Sequence, residues 1–291
     1  MQVPAPFTYE RAGSVDEALS LLGRYGPEAR LVAGGHSLLP MMKLRLARPE
    51  ALIDINGLAE LDYIKVDGDQ LAIGAMTRHC SVLDSPVLRE HYRIFAEAER
   101  VIADPLVRNR GTVGGSLCQA DPSEDLSAVF AALRGEAVIR SATGTRRVAL
   151  REFHVGPYET AVGDGEILVE VRVPIRTSVG SAYEKVERRA GDWSIAAVGA
   201  FVVLDGDVIS DVGIGITAVG AEHFTCQAAE ELLLGSSVQD ALVETAAATC
   251  AAACNPSVDQ RGPEDYKRHL VSVLASRALH RSISAARGEV A

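Results

Sequence analysis

The chain is 291 residues long, 47% hydrophobic and 23% charged, with a formal net charge of −10. A chain of that length buries two or three separate cores, so two domains are expected. The acidic balance opposes a nucleic-acid partner and an anionic membrane surface, because both demand clustered Lys and Arg.

Ser14-Val15-Asp16-Glu17 reads as a capping box. Val15, Ala18, Leu19 and Leu22 then recur at helical spacing until Gly26 stops the helix. Short apolar strands at 30–33 and 52–55 make the opening segment a small β-α-β-style unit. Asp67-Gly68 is a hairpin turn between strands 64–66 and 71–73. Helical segments occupy 82–101, a helix follows at 126–133, and hairpin strands flank Ala142-Thr143-Gly144-Thr145. Pro174 closes a strand at 167–173, and the chain then changes character. Two or three strands run to about Thr217, turning at Asp205-Gly206-Asp207, and an Ala-rich helical tail spans 228–284. A domain boundary is therefore expected at 175–178.

Two short glycine loops stand out, Ala33-Gly34-Gly35-His36-Ser37 and Thr112-Val113-Gly114-Gly115-Ser116. Each combines side-chain-free amides with a small hydroxyl, and successive bare amides converge well on a diphosphate. Either loop alone is equally readable as a tight turn; the pair points to a phosphorylated cofactor. Neither is a P-loop or a G-x-G-x-x-G fingerprint. Gly213-Ile214-Gly215-Ile216-Thr217-Ala218 matches G-x-G-x-x-A loosely, but it lies in a segment that alternates like a hairpin strand and is discounted.

Cys80, Cys118, Cys226, Cys250 and Cys254 are scattered and odd in number, which argues for reduced thiols. No spacing among them matches an iron–sulfur ligand set. Cys250 and Cys254, four apart on a helix, read as small buried residues. No run of about twenty apolar residues is present to span a bilayer, and the segment from Met1 to Pro6 has no targeting pattern, so a cytoplasmic location is expected.

Three stretches carry a family resemblance: AGGHSLLPMMKLRLARPEALIDIN at 33–56, RNRGTVGGSLCQADPSED at 108–125, and YEKVERRAGDWSIAAVG at 183–199. Together, in this order, they resemble the FAD-binding medium subunit of the molybdenum hydroxylases, a family that includes carbon monoxide dehydrogenase medium chains and the flavin domain of xanthine dehydrogenase. The likeness covers essentially the whole chain. It implies an α+β fold: an FAD-binding PCMH-type (vanillyl-alcohol-oxidase-like) domain of two α/β subdomains over 1–177, then a smaller α+β domain over 178–287 with a short antiparallel sheet and a helical bundle.

The same resemblance assigns the FAD diphosphate to Ala33, Gly34, Gly35, His36 and Ser37 and to Thr112, Gly114, Gly115 and Ser116. His36 is a contact without proton chemistry, since family members often carry Gln there. Asp125 either accepts from ribityl or ribose hydroxyls or caps the helix that starts at Leu126. Leu168 matches a backbone contact. Lys185 either stabilises electron density on the flavin or is a solvated strand lysine. Trp193 either stacks on the isoalloxazine or fills a core. Arg108 and Arg110 face phosphate or a partner, and His79 reads as a surface or core residue. The implied partners are a small iron–sulfur subunit and a large molybdopterin subunit, as a dimer of heterotrimers, with no catalytic residue or metal ligand on this chain. Electrons would leave to oxygen, NAD or a quinone; carbon monoxide, an N-heteroaromatic and an aldehyde all stay open as substrate. A stand-alone FAD oxidase of the vanillyl-alcohol-oxidase-like fold and a non-catalytic flavin-binding module are the alternatives.

Overall fold

A computed structural model describes residues 3–289. Met1 and Gln2, part of the start read above for a targeting pattern, lie outside the described residues. The first sheet has three short parallel strands, β1 (Thr8–Arg11), β2 (Ala29–Val32) and β3 (Ala51–Asp54), in the order β1-β3-β2. β3 is central because Ala51, Leu52 and Ile53 are all buried. β1 is mostly exposed and has no apolar alternation, so the sequence gives no sign of it. Between β1 and β2 lies α1 (Val15–Tyr25). The Ser14 hydroxyl accepts from Glu17 N at 3.1 Å, and the Glu17 carboxylate accepts from Gly13 N at 2.7 Å. Gly26, at φ +67°, ends the helix. A second helix, α2 (Leu38–Lys43), contains Pro40 and was not expected. The proline sits in the first turn, where its missing N–H forfeits no helical hydrogen bond.

The second sheet comprises β4 (Ile64–Asp67), β5 (Gln70–Gly74), β6 (Glu136–Ser141), β7 (Gly144–Ala149) and, after a hairpin of β8 (His154–Gly156) and β9 (Glu159–Thr160), β10 (Ile167–Pro174). Its order is β4-β5-β10-β6-β7, antiparallel throughout. Between β5 and β6 the chain builds α3 (His79–Asp84), α4 (Pro86–His91), α5 (Arg93–Val101), α6 (Pro105–Arg108), α7 (Val113–Gln119) and α8 (Asp125–Ala132); α9 (Leu150–Phe153) follows β7. The second glycine loop is thus no free turn but the first turn of α7. Its amides are capped by the Thr112 hydroxyl, which accepts from Gly115 N at 3.0 Å.

The third sheet is the antiparallel meander β11 (Val179–Glu187), β12 (Ser194–Asp205) and β13 (Val208–Thr217). α5 and α8 cover one face; α10 (Gln227–Leu233), α11 (Asp240–Ala253) and α12 (Glu264–Ala286) form a layer on the other side. β12 is buried on both faces and therefore reads as an unbroken apolar run. Ala197 and Phe201 point to the core shared with α8, whereas Ala196, Val198, Ala200 and Val202 point to the core under α12. Cys226, Cys250 and Cys254 are buried in that second core, and the Cys254 thiol donates to the Cys250 carbonyl at 3.2 Å.

Gly213 and Gly215 explain the loose dinucleotide pattern. A Cβ on Gly213 would overlap the Ala132 carbonyl and the Phe201 ring, and one on Gly215 would overlap the Ala128 carbonyl. The glycines let the backbone of α8 rest directly on β13, with no ligand involved. Gly215→Ala should consequently push α8 off the sheet and lower stability by about 1–3 kcal/mol, the usual cost of overpacking. Urea unfolding of the purified chain measures this, and an unchanged midpoint would show that α8 yields freely.

Candidate functional site

A cavity of about 610 Å³ opens between loop 33–37, the start of α7, β10 and the turn 191–193. That volume is in the range of small-molecule sites. Its walls mix apolar side chains, among them Met76, Ile102, Val107 and Leu168, with the carboxylates of Glu124 and Asp125. A bulge in β10 between Leu168 and Glu170 bends the strand at this wall.

Loop 33–37 leaves β2 and turns at Gly35, φ +77°. The amides of Gly34, Gly35, His36 and Ser37 meet no acceptor among the described residues, and all four residues line the cavity. The loop is braced from behind. Asn56 Nδ2 donates to the Ala33 carbonyl at 2.5 Å and to Asp54 Oδ1 at 2.8 Å. Arg78 donates to Asn56 Oδ1 at 2.9 Å and, through its other nitrogen, to the Arg110 carbonyl. A Cβ on Gly34 would overlap that same Arg110 carbonyl, so two stretches of main chain touch here.

The second loop differs. Val113 N donates to the Thr77 carbonyl at 2.9 Å, Gly114 N to the Ala75 carbonyl at 2.8 Å, and Ser116 N to the Thr112 carbonyl at 2.9 Å. The amides of Val113, Gly114, Gly115 and Ser116 thus all have acceptors inside the chain. A Cβ on Gly114 would lie 2.7 Å from Ala75 Cβ, so this glycine is required by packing. Thr112, Gly114, Gly115 and Ser116 do line the cavity, but the amides of Gly114, Gly115 and Ser116 are already taken.

Asp125 does not cap α8. Glu124 does, accepting from Leu126 N at 2.9 Å and Ser127 N at 2.6 Å. Asp125 instead gathers three donors from the third sheet: Tyr183 Oη at 2.6 Å, Ser194 Oγ at 2.8 Å and Lys185 Nζ at 2.9 Å. Burial pushes the Tyr183 phenol well above its ordinary value, and the Asp125 carboxylate adds to the effect. The Lys185 side chain is 2% exposed and is not solvated; its ammonium also donates to the Val101 carbonyl at 2.9 Å. Lys185 lies behind Asp125 and does not line the cavity. Trp193 is 43% exposed and sits at the cavity wall, not in a core. The turn that carries it is pinned at Gly191, φ +78°, where a Cβ would meet the Ala103 carbonyl at 2.8 Å. His36 is exposed at the wall.

Arg108 donates to the carbonyls of Ile102 and Ala103, so its charge is spent on the turn before α6. The braces Asn56 and Arg78 were not anticipated, nor were Glu124 and the pair His79–Glu99. His79 is buried in the cavity wall, with Nδ1 2.9 Å from Glu99 Oε1. No cluster of three His, Cys, Asp or Glu suited to a metal occurs among the described residues.

The residues fit FAD. Four free amides suit phosphate oxygens, the apolar stretch and an exposed indole suit a flat ring, and acidic groups stand near the polar chain between. Because Lys185 pairs with Asp125 in a buried setting, Lys185→Met should strand a carboxylate and destabilise the chain by about 3–5 kcal/mol. Urea unfolding is the check, and a loss below about 1 kcal/mol would reduce the pair to a surface-like contact.

Residues 5–176 match the family described as FAD binding domain in molybdopterin dehydrogenase, and residues 181–282 match the CO dehydrogenase flavoprotein C-terminal domain. The carbon monoxide dehydrogenase medium chain of Hydrogenophaga pseudoflava is 40% identical over 279 residues, covering 96% of this chain and 97% of that one. The glyceraldehyde dehydrogenase medium chain of Sulfolobus acidocaldarius is 36% identical, covering 94% and 98%. Among solved structures, carbon monoxide dehydrogenase from Hydrogenophaga pseudoflava superposes with a TM-score of 0.94 at 41% identity, covering 97% of this chain and 99% of that one. The chain belongs to the FAD-binding medium subunits of the molybdenum-dependent dehydrogenases, the family of the carbon monoxide dehydrogenase medium chains.

Proposed function

We propose that this chain is the electron-transfer subunit of a heterotrimeric molybdenum hydroxylase in the cytoplasm. Residues 1–177 form its flavin-holding domain and 178–287 its second domain. A small iron–sulfur subunit supplies electrons, and a large molybdopterin subunit takes them from substrate, the whole being a dimer of heterotrimers. The observation that carries this reading is the row of acceptorless amides at 34–37, aimed into a cavity of a chain that spans nearly the full length of its medium-chain relatives. Those relatives are named for carbon monoxide and glyceraldehyde, which share no recognition chemistry. What is common along the whole length is the flavin site, so substrate choice belongs to another polypeptide.

FAD, when bound, supplies the redox chemistry, and the protein supplies binding, orientation and electrostatics. The amides of Gly34, Gly35, His36 and Ser37 donate to diphosphate oxygens, with the Ser37 and Ser116 hydroxyls beside them. The glycine contacts of Gly114 and Gly115 keep that wall low. Leu168 gives an apolar wall, and Trp193 covers a ring face and excludes water from it. Asp125, already accepting from three donors, fixes the charge of the wall, and Lys185 acts through it.

Purification of the chain alone and with its genomic neighbours tests the assignment. The isolated chain should be yellow, its flavin should not bleach on addition of small alcohols or aldehydes, and bleaching by substrate should appear only in the complex. Oxidation of a small alcohol by the isolated chain would overturn the subunit reading.

Two substitutions probe the site. Gly34→Ala forces the loop away from Arg110 and should lower FAD content at least about tenfold, one order of magnitude being about 1.4 kcal/mol; unchanged flavin absorbance would remove this loop from the site. Trp193→Ala should leave FAD bound but raise its fluorescence and alter its reoxidation rate. If both match the parent, the indole does not cover the ring.

A further inference from the structure

His79 opens α3 and is 4% exposed. Its Nδ1 lies 2.9 and 3.1 Å from the two oxygens of Glu99, a residue with no exposed surface. Glu99 receives no other hydrogen bond to its carboxylate among the described residues. The far edge of the ring faces Gly111: a Cβ there would stand 2.7 Å from His79 Cδ2 and 3.2 Å from Nε2. On the other side of the same backbone is Gly34, whose Cβ would stand 2.9 Å from Gly111 Cα. One layer of main chain thus separates the imidazole from the loop with the free amides. The other basic groups in the wall serve less well. Arg30 donates to the Pro27 and Ala29 carbonyls, and His36 is exposed.

We propose that His79, kept as an imidazolium by Glu99, is the buried cation that balances the phosphate charge of the cofactor. The inference rests on the reading that FAD binds with its diphosphate at loop 33–37. Burial by itself disfavours the charged ring, but the Glu99 carboxylate, followed by those of Glu124 and Asp125, more than offsets it and raises the His79 pKa. The remaining charged groups near the ring are turned elsewhere. Arg108 of α6 serves the Ile102 and Ala103 carbonyls, and Arg78 serves Arg110 and Asn56. A unit charge near a diphosphate in a low-dielectric wall is worth an order of magnitude or more in affinity.

The sign of the pH dependence follows from the raised pKa. The charge is complete below the ordinary histidine value of about 6.5 and is lost as pH rises through the raised folded value, so affinity for FAD should hold at mildly acidic pH and fall as pH rises above it. Without the Glu99 charge the strongest influence opposing burial is gone, and the fall should move to lower pH.

The test is titration of the full apo chain with FAD and with inorganic pyrophosphate across pH, beside its unfolding midpoint. His79→Gln should weaken both ligands about tenfold at about pH 6 and remove the fall with pH. Because it strands the buried Glu99 carboxylate it also lowers apo stability, whereas the double variant His79→Gln/Glu99→Gln, which removes both charges, should bind as weakly and unfold closer to the parent. Glu99→Gln should move the fall to lower pH. Parent-like affinities in His79→Gln, or an unmoved fall in Glu99→Gln, would overturn the proposal. Should His79→Gln fail to fold, the Glu99→Gln profile decides alone. A parent chain that does not bind FAD would instead overturn the cofactor reading on which this rests.

Discussion

Backbone meeting backbone at Gly34 is the constraint on which the site depends. The Gly34 position stands against the Arg110 carbonyl and Gly111 Cα, and any side chain there would force the two segments apart. The contact joins the first sheet, through β2, to the connection between α6 and α7. Arg78 reinforces it by donating to both Arg110 and Asn56, while Asn56 holds the Ala33 carbonyl. With the Ala33 carbonyl tied down, the amides of Gly34 to Ser37 stay without acceptors among the described residues, at the wall of the cavity. Such a site is preorganised: the ordering cost falls on folding, and less of it remains for binding.

A second constraint joins the third sheet to the same cavity. Asp125 stands at the start of α8 and collects Tyr183, Lys185 and Ser194 from β11 and β12. A buried carboxylate without donors would be expensive, and so would a buried ammonium without a carboxylate. Each therefore fixes the other, and the geometry of the pair is set by the close seat of α8 on Gly213 and Gly215. A glycine packed against Ala128, one turn along α8, thus supports the placement of an acidic group in the cavity wall.

The parts of the site legible in the sequence are those encoded by local residue type. Glycine pairs next to hydroxyls marked both loops, and the capping pattern at Ser14 and the hairpin at Asp205-Gly206-Asp207 followed from short-range chemistry. What was not legible depends on partners distant in sequence. The amides of Val113 and Gly114 looked free, yet their acceptors are the carbonyls of Thr77 and Ala75, brought in by the end of β5. Glu124 and Asp125 are adjacent acids, and only the seating of α8 decides which one caps and which faces the third sheet. Lys185 in Tyr-Glu-Lys-Val-Glu reads either as a flavin contact or as a solvated strand lysine, because its burial comes from Val101 and Asp125. β1 and α2 were missed because one is polar throughout and the other holds a proline.

These couplings divide the molecule by how much its stability depends on a ligand. The core beneath α11 and α12 is closed by Val198, Val202, Ile214, Leu274 and their neighbours, none of which lines the cavity. Its folding draws chiefly on apolar burial, with the buried Glu230 and Lys267 held by Arg151 and Asp259. Loop 33–37 differs: the amides of Gly34, Gly35, His36 and Ser37 have no acceptor among the described residues and are left to solvent or a bound anion, whereas the amides of Gly191, Asp192 and Trp193 are held by Glu187, Arg189 and Asp192. A ligand that binds only the folded form stabilises it by RT ln(1 + [L]/Kd), and the residues that feel this first are those that line the cavity. Cofactor loading therefore consolidates the wall between the first and third sheets, the region where Gly34 and Asp125 do their positioning, while the helical layer stands without it.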